Sequence, residues 1–170
     1  TFMVKNNITI EGARIIFRNF SGKESTFNPA GRRNFCCLLD NDISDQLIND
    51  GWNVKYLKPR DEEDSPQAYI PVAVSFGNPK AIPKIVLITS KGKEVLDEST
   101  VNVLDWAEIE NIDIIIRPYN WELPSGKSGV KAYVKSMYVT VAEDEFEKKY
   151  SAYPEIEEEK KKNNIEHQLD

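Results

Sequence analysis

The residues best suited to chemistry lie in one stretch, "RPYNWELPSGKSGVKAYVK", Arg117 to Lys135. It interleaves cations with rings. Alternate residues of an extended chain share a face, so Arg117, Tyr119 and Trp121 form one triplet, and Lys131, Tyr133 and Lys135 form another. Lys127 sits between them in a Gly/Ser turn. Whether the triplets face the same way depends on register, which the sequence does not fix. Cations beside exposed rings suit single-stranded nucleic acid. The charges follow the phosphates, and each ring that stacks on a base contributes about 1–3 kcal/mol. Phosphate contacts of this kind weaken as salt rises.

Further cations extend the set: Arg14 and Arg18 in the N-terminal segment, Arg32 and Arg33 ahead of "NFCCLLD", and Lys55 between Trp52 and Tyr56. These arginines could instead pair with acidic residues in the middle of the chain, where exposed pairs contribute little. Trp52, Tyr56, Trp106, Tyr138, Phe17 and Phe35 read as core residues of strands. Tyr119, Trp121 and Tyr133, beside cations and a loop, are the candidate stacking rings.

Other chemistries lack their parts. "SGKS" (125–128) resembles a phosphate loop, but that pattern needs a glycine at position 121, where Trp121 stands, and a helix afterwards, where the chain alternates like a strand. His167 is the one histidine, so neither a Cys/His zinc set nor a His-activated nucleophile can be assembled. Cys36 and Cys37 are adjacent and point to opposite faces of a strand, as reduced small residues do. The acids Asp61 to Asp64 read as a solvated loop rather than a metal site. No catalytic residue, metal or cofactor is expected.

The chain has 170 residues, 40% of them hydrophobic and 29% charged, enough for one domain with a sizeable core. No apolar run is long enough to span a bilayer. The N-terminus shows no secretory pattern, and Met3 is a candidate start. The net charge of −6 conceals an uneven distribution. Residues 1–35 carry six basic and two acidic side chains, and residues 117–142 carry four and one. Residues 36–116 carry seven basic and fifteen acidic, and residues 143–170 carry five and ten. Two basic segments thus flank an acidic middle, and such asymmetry decides partners more than the total does.

The elements that must position these residues are mostly strands. "ITIEGARIIFRNF" reads as one strand with Gly12 as a bulge. "SGKESTFNPAG" reads as a polar loop and "RRNFCCLLD" as a second strand. "NDISDQLINDG" reads as a short helix capped at Asp42 and stopped at Gly51. "WNVKYLKPR" reads as a strand, and "AYIPVAVSF" as an edge or bulged strand because of Pro71. "KIVLITSKGKEVL" reads as a hairpin turning at Lys91-Gly92. "DESTVNVLDWAEI" reads as a short helix, followed by two long strands around "PSGKSG". "AEDEFEKKY" reads as a last short helix. The fold class is mainly β: an OB-fold-like antiparallel five-stranded barrel with extra strands and short inserted helices. The domain spans 1–153, and 154–170 is an acidic, disordered tail.

Three runs, "RNFCCLLD", "LINDGWNVKYLKPRDEEDSPQAYIPVAVSF" and "NIDIIIRPYNWELPSGKSGVKAYVKSMYVTV", carry a resemblance. In segment order, and in phrases such as "DGWNVK" and "KAYVKSMYV", residues 8–150 resemble the single-stranded-DNA-binding proteins of tailed bacteriophages and prophages. The resemblance implies an OB-fold, sequence-tolerant binding of single strands and work in phage replication or recombination, in the cytoplasm of the bacterial host. It also implies an acidic C-terminus that meets phage or host replication proteins, although here the tail ends "EHQLD" without a terminal aromatic. Homodimerisation is left open. The alternative is a non-catalytic protein–protein module of a phage, either a virion component or an inhibitor of host defence. A nuclease or nucleotide-binding enzyme is a third and weaker option.

Overall fold

The computed structural model describes residues 3–142. The helix expected in "AEDEFEKKY", the domain limit at 153 and the acidic tail lie outside the described residues, save Ala142.

In chain order the strands are β1 (Ile8–Ile10), β2 (Arg14–Asn19), β3 (Arg33–Leu39), β4 (Lys55–Leu57), β5 (Gln67–Val74), β6 (Lys84–Thr89), β7 (Gly92–Leu96), β8 (Ile109–Glu122) and β9 (Ser128–Val141). One α-helix, α1 (Asn41–Asp50), and one 3-10 helix (Val101–Asp105) interrupt them. All nine strands belong to a single sheet, with the path β1-β8-β9-β5-β3-β2. The expected mainly-β, OB-like architecture is therefore present. The sheet is mixed rather than purely antiparallel, because β5 and β6 each run parallel to β9. It is also open, because no ladder joins β1 to β2.

The β8–β9 hairpin is the backbone of the sheet. Ile112, Ile114 and Ile116 alternate inward on β8 and are each 1% exposed or less. On β9 the inward residues are Ala132 and Val134, then Met137, Val139 and Val141. The parity changes because the register shifts between Ile115↔Ser136 and Ile116↔Val134, leaving Lys135 as an extra, bulged residue. Without that bulge, one half of β9 would turn its apolar side chains to water. Phe35, Cys37 and Leu39 of β3 and Ala68, Ile70, Val72 and Val74 of β5 complete the interior.

Several local expectations are corrected. Gly12 ends a strand instead of bulging one. It sits at φ 64 in a turn, so β1 pairs with β8 while β2 turns away to pair with β3. The irregularity lies further on, between Ile16 and Asn19, where Phe17 has φ 53. The helix cap is Asp40, not Asp42, and Gly51 ends the helix at φ 102 as expected. "WNVKYLKPR" is extended only at Lys55–Leu57, while the short helix expected before β8 is present as the 3-10 helix. Pro71 lies within an inner strand. β5 pairs with β4 through Tyr69 on one flank and with β9 from Val72 onward, and Pro71 stands at that changeover.

Side chains tie β2 and the residues after it to the 3-10 helix region. The Arg18 guanidinium donates to the carbonyls of Leu104 (3.0 Å) and Ala107 (2.8 Å). In return the Asp105 carboxylate accepts from the backbone N–H groups of Phe20 (2.6 Å) and Ser21 (3.0 Å). Replacing Arg18 by alanine leaves two carbonyls without their charged donor. Urea unfolding of Arg18→Ala is expected to show a loss of about 1.5–3 kcal/mol, in line with hydrogen bonds to charged groups.

Burial raises both thiols, Cys37 to about 12 and Cys36 less far, with Arg14 and Lys55 opposing in turn. The Cys37 thiol therefore keeps its proton in the folded chain at a pH where the unfolded chain releases it, and its contribution to stability declines as pH rises from the ordinary thiol range toward 12. Iodoacetamide at pH 8 is expected to label half-exposed Cys36 and to spare Cys37, as read by peptide mass spectrometry.

Candidate nucleic-acid interface

Residues paired across a ladder lie on the same face of the sheet. The β8–β9 register pairs Arg117 with Tyr133, Tyr119 with Lys131 and Trp121 with Gly129. The two triplets therefore face the same way, outward. The ladder continues the row across the sheet: Tyr133 pairs with Ala73, Ala73 with Asn34 and Asn34 with Asn19. A second outward row runs Arg14, Leu38, Tyr69, Lys55.

Tyr133 organises the first row. The Arg117 guanidinium carbon lies 4.7 Å from its ring centroid, and the Lys131 ammonium lies 5.2 Å from it. Two cations thus share one ring, each attracted by its quadrupole. Tyr119 meets Tyr133 edge to face with centroids 6.1 Å apart, and remains half exposed. Arg117 Nε is buried without a hydrogen-bond partner. Among the described residues, Arg117, Lys131, Lys135, Lys127, Lys55 and Arg32 form no ion pair, since the salt bridges found are Arg14–Asp40 and Arg33–Glu98.

Beside this row lies an open groove of about 860 Å³. Its floor is Ile70 to Ala73, the stretch where β5 exchanges β4 for β9. One wall is the tip of the β8–β9 hairpin, with Trp121, Lys127 and Lys131. Another carries Trp52 and Lys55, and a third carries Phe27, Asn28, Arg32 and Asn34. Lys131 belongs to both groove and row. The hairpin turn is held by Gly126 N–H to the Leu123 carbonyl (2.8 Å) and Leu123 N–H to the Lys127 carbonyl (2.7 Å). Gly126 takes φ 93, which favours glycine. Trp121 rests against Gly129 so closely that a Cβ there would stand 2.6 Å from its Cζ2.

Of the twelve residues singled out in the sequence, Arg32, Lys55, Arg117, Tyr119, Trp121, Lys127, Lys131 and Tyr133 line the groove or the adjoining row. Lys135 is exposed at the β9 bulge, next along the strand. Arg14 stands on the outward face but engages Asp40 at 3.2 Å. Arg18 is committed to the carbonyls of Leu104 and Ala107. Arg33 has the inward parity of Phe35. It lies over the Phe76 ring at 5.9 Å and reaches Glu98 at 3.9 Å. Sequence reasoning missed Phe27, taken as part of a polar loop, and the groove itself, which depends on a change of strand partner. Among the described residues no cluster of three or more His, Cys, Asp or Glu could hold a metal.

Residues 2–169 match the family described as "Putative phage ssDNA-binding domain". The chain belongs to that family. Two solved structures are similar to it. The single-stranded DNA-binding protein from bacteriophage Enc34 is 13% identical, with a TM-score of 0.49 over 78% of this chain and 79% of that one. The gp2.5 single-stranded DNA binding protein encoded by bacteriophage T7 is 12% identical, with a TM-score of 0.43 over 82% and 93%. No curated protein matches the chain. Among the described residues no helix is long and apolar enough to cross a membrane.

The contact between Trp121 and Gly129 makes a local prediction. Gly129→Ala is expected to lift the indole from the strand into water and to red-shift its emission, read as a difference spectrum against Trp121→Phe. An unchanged difference spectrum would show that the ring does not rest on Gly129.

Proposed function

We propose that the outward face and its groove form the surface on which this family member binds single-stranded DNA, tolerantly of sequence and without a catalytic step, in phage DNA replication or recombination within the host cytoplasm. The observation that carries the reading is the β8–β9 register. It gathers Arg117, Tyr119, Lys131 and Tyr133 on one exposed patch, continuous with a groove lined by further cations that lack acidic partners. A scattering of these charges would have favoured a protein-interaction module.

The geometry supports a division of labour within this proposal. Arg32, Lys55, Arg117, Lys127, Lys131 and Lys135 take phosphates. Tyr119 and Trp121 keep exposed area for bases. Tyr133 works mainly through the cations above its ring, holding Arg117 and Lys131 in place. Six such contacts give a slope of log K against log salt of about −4, at roughly −0.7 per phosphate on a single strand. Replication proteins that meet the acidic C-terminus remain partners suggested by the family resemblance, which says nothing of a second copy of the chain.

Titration with oligo-dT is expected to quench tryptophan emission in the wild type and much less in Trp121→Phe. Tyr119→Ala is expected to weaken binding by about 1–3 kcal/mol, and affinity should fall steeply with salt. Duplex of equal length is expected to bind more weakly, because its base faces are already stacked. Absence of any mobility shift with oligo-dT at low salt would reject the reading.

A further inference from the structure

Phe27 is 95% exposed, the most exposed large apolar side chain among the described residues. A single exposed ring is ordinary on a protein surface. The position of this one is not, because Phe27 lines the same groove as Trp121, Arg32 and Lys127 although some ninety residues separate it from the hairpin.

The loop that carries it, residues 21–32, is tightly built. At its neck, Gly31 N–H donates to the Gly22 carbonyl at 2.8 Å, and a Cβ on Gly22 would meet the Gly31 backbone at 3.1 Å. Both glycines have positive φ, 72 and 89. At the tip, Ser25 and Asn28 exchange backbone hydrogen bonds of 2.9 and 3.2 Å, which leaves Thr26 and Phe27 as the two residues of a tight turn. Asn28 ties the tip to the body. Its Nδ2 donates to the carbonyls of Lys23 (3.0 Å) and Arg32 (3.0 Å), and its Oδ1 accepts from Asn34 Nδ2 on β3 (2.9 Å). Asn19 holds the near end through the backbone N–H and carbonyl of Lys23. The loop is thus ordered by hydrogen bonds that do not involve its ring.

We propose that this loop is the second jaw of the groove and that Phe27 stacks on an unpaired base. The proposal rests on the single-strand reading above and adds a contact made by a different element. Phenylalanine suits the task. It offers a flat apolar face to any base and no hydrogen-bonding group to prefer one. Because the loop is already ordered, little conformational freedom is lost when the base arrives. The stacking gain is withheld from duplex DNA, whose base faces are covered by their neighbours. With Trp121 on the hairpin wall, Phe27 places a ring on each of two walls of the groove, and the cations between them take the phosphates.

The test compares Phe27→Ala with the wild type on oligo-dT and on an abasic deoxyribose-phosphate oligomer of equal length. Because the side chain is 95% exposed, the thermal midpoint should not move. Affinity for oligo-dT is expected to fall about 5- to 100-fold, with the abasic oligomer bound equally by both proteins. Phe27→Trp in the Trp121→Phe background supplies a reporter at the tip, and its emission should quench with oligo-dT but not with duplex. Equal affinity of Phe27→Ala and wild type for oligo-dT, in a protein that still binds it, would overturn the proposal and leave the single-strand reading intact. An equal loss on both oligomers would overturn it too, by showing that the change acts on phosphate contacts. A wild-type protein that binds neither oligomer would remove both readings.

Discussion

The structure depends on the cross-strand register of β8 and β9. Fourteen residues on each side form one ladder, and three further strands pair with it directly: β1 on the outer edge of β8, β5 and β6 end to end along β9. A ladder has two faces and only one can be the core. Fixing Ile112, Ile114 and Ile116 inside therefore fixes Arg117, Tyr119 and Trp121 outside. The bulge at Lys135 lets one strand serve two partners, because it restores the apolar parity of β9 where β6 takes over from β5. The core and the outward cationic face are two consequences of one alignment.

The groove comes from the same economy of pairing. β5 has β3 along one flank from Ala68 to Val74, while on the other flank β4 leaves before β9 arrives. Proline is tolerated at that interruption because it has no N–H to offer a partner strand. The gap lets the hairpin tip, the segment after α1 and the 21–32 loop approach one another. Such a protein can carry a net charge of −6 and still present cations to a polyanion. Within a Debye length of about 8–10 Å the local charges dominate, and the distant acids are screened.

Much of this was legible in the sequence. The β8–β9 hairpin stood out because its apolar and polar residues alternate over many positions around an obvious turn, and the glycine stop after α1 is a purely local signal. What failed was parity across irregularities. Arg14 and Arg18 share a parity within their own segment, yet Phe17 at φ 53 breaks the alternation and sends Arg18 to the carbonyls of Leu104 and Ala107. Lys131, Tyr133 and Lys135 were grouped by the same arithmetic, and there the outward grouping survives only because the bulge adds Ser136 to the outward side rather than removing Lys135. Phe27 was illegible for another reason. A ring in a polar loop gives no periodic signal, and its setting depends on Asn28 meeting Asn34 on a strand whose position the loop sequence does not specify.

The cluster at Tyr133 explains why this face suits an anion. Arg117 and Lys131 lie over one ring, and no carboxylate among the described residues pairs with either. Like charges brought together repel, and the ring's quadrupole offsets only part of that, about 0.5–2 kcal/mol per cation. Partial burial of Arg117 removes some of the water that would otherwise screen it, and its Nε has no acceptor. A phosphate set against the pair relieves the repulsion and supplies acceptors in one contact. The folded chain holds this arrangement ready because the ladder, not the ligand, keeps the two side chains adjacent. Their mutual cost is met by the burial of isoleucines on the opposite face, so the energy that forms the core also preorganises the charges.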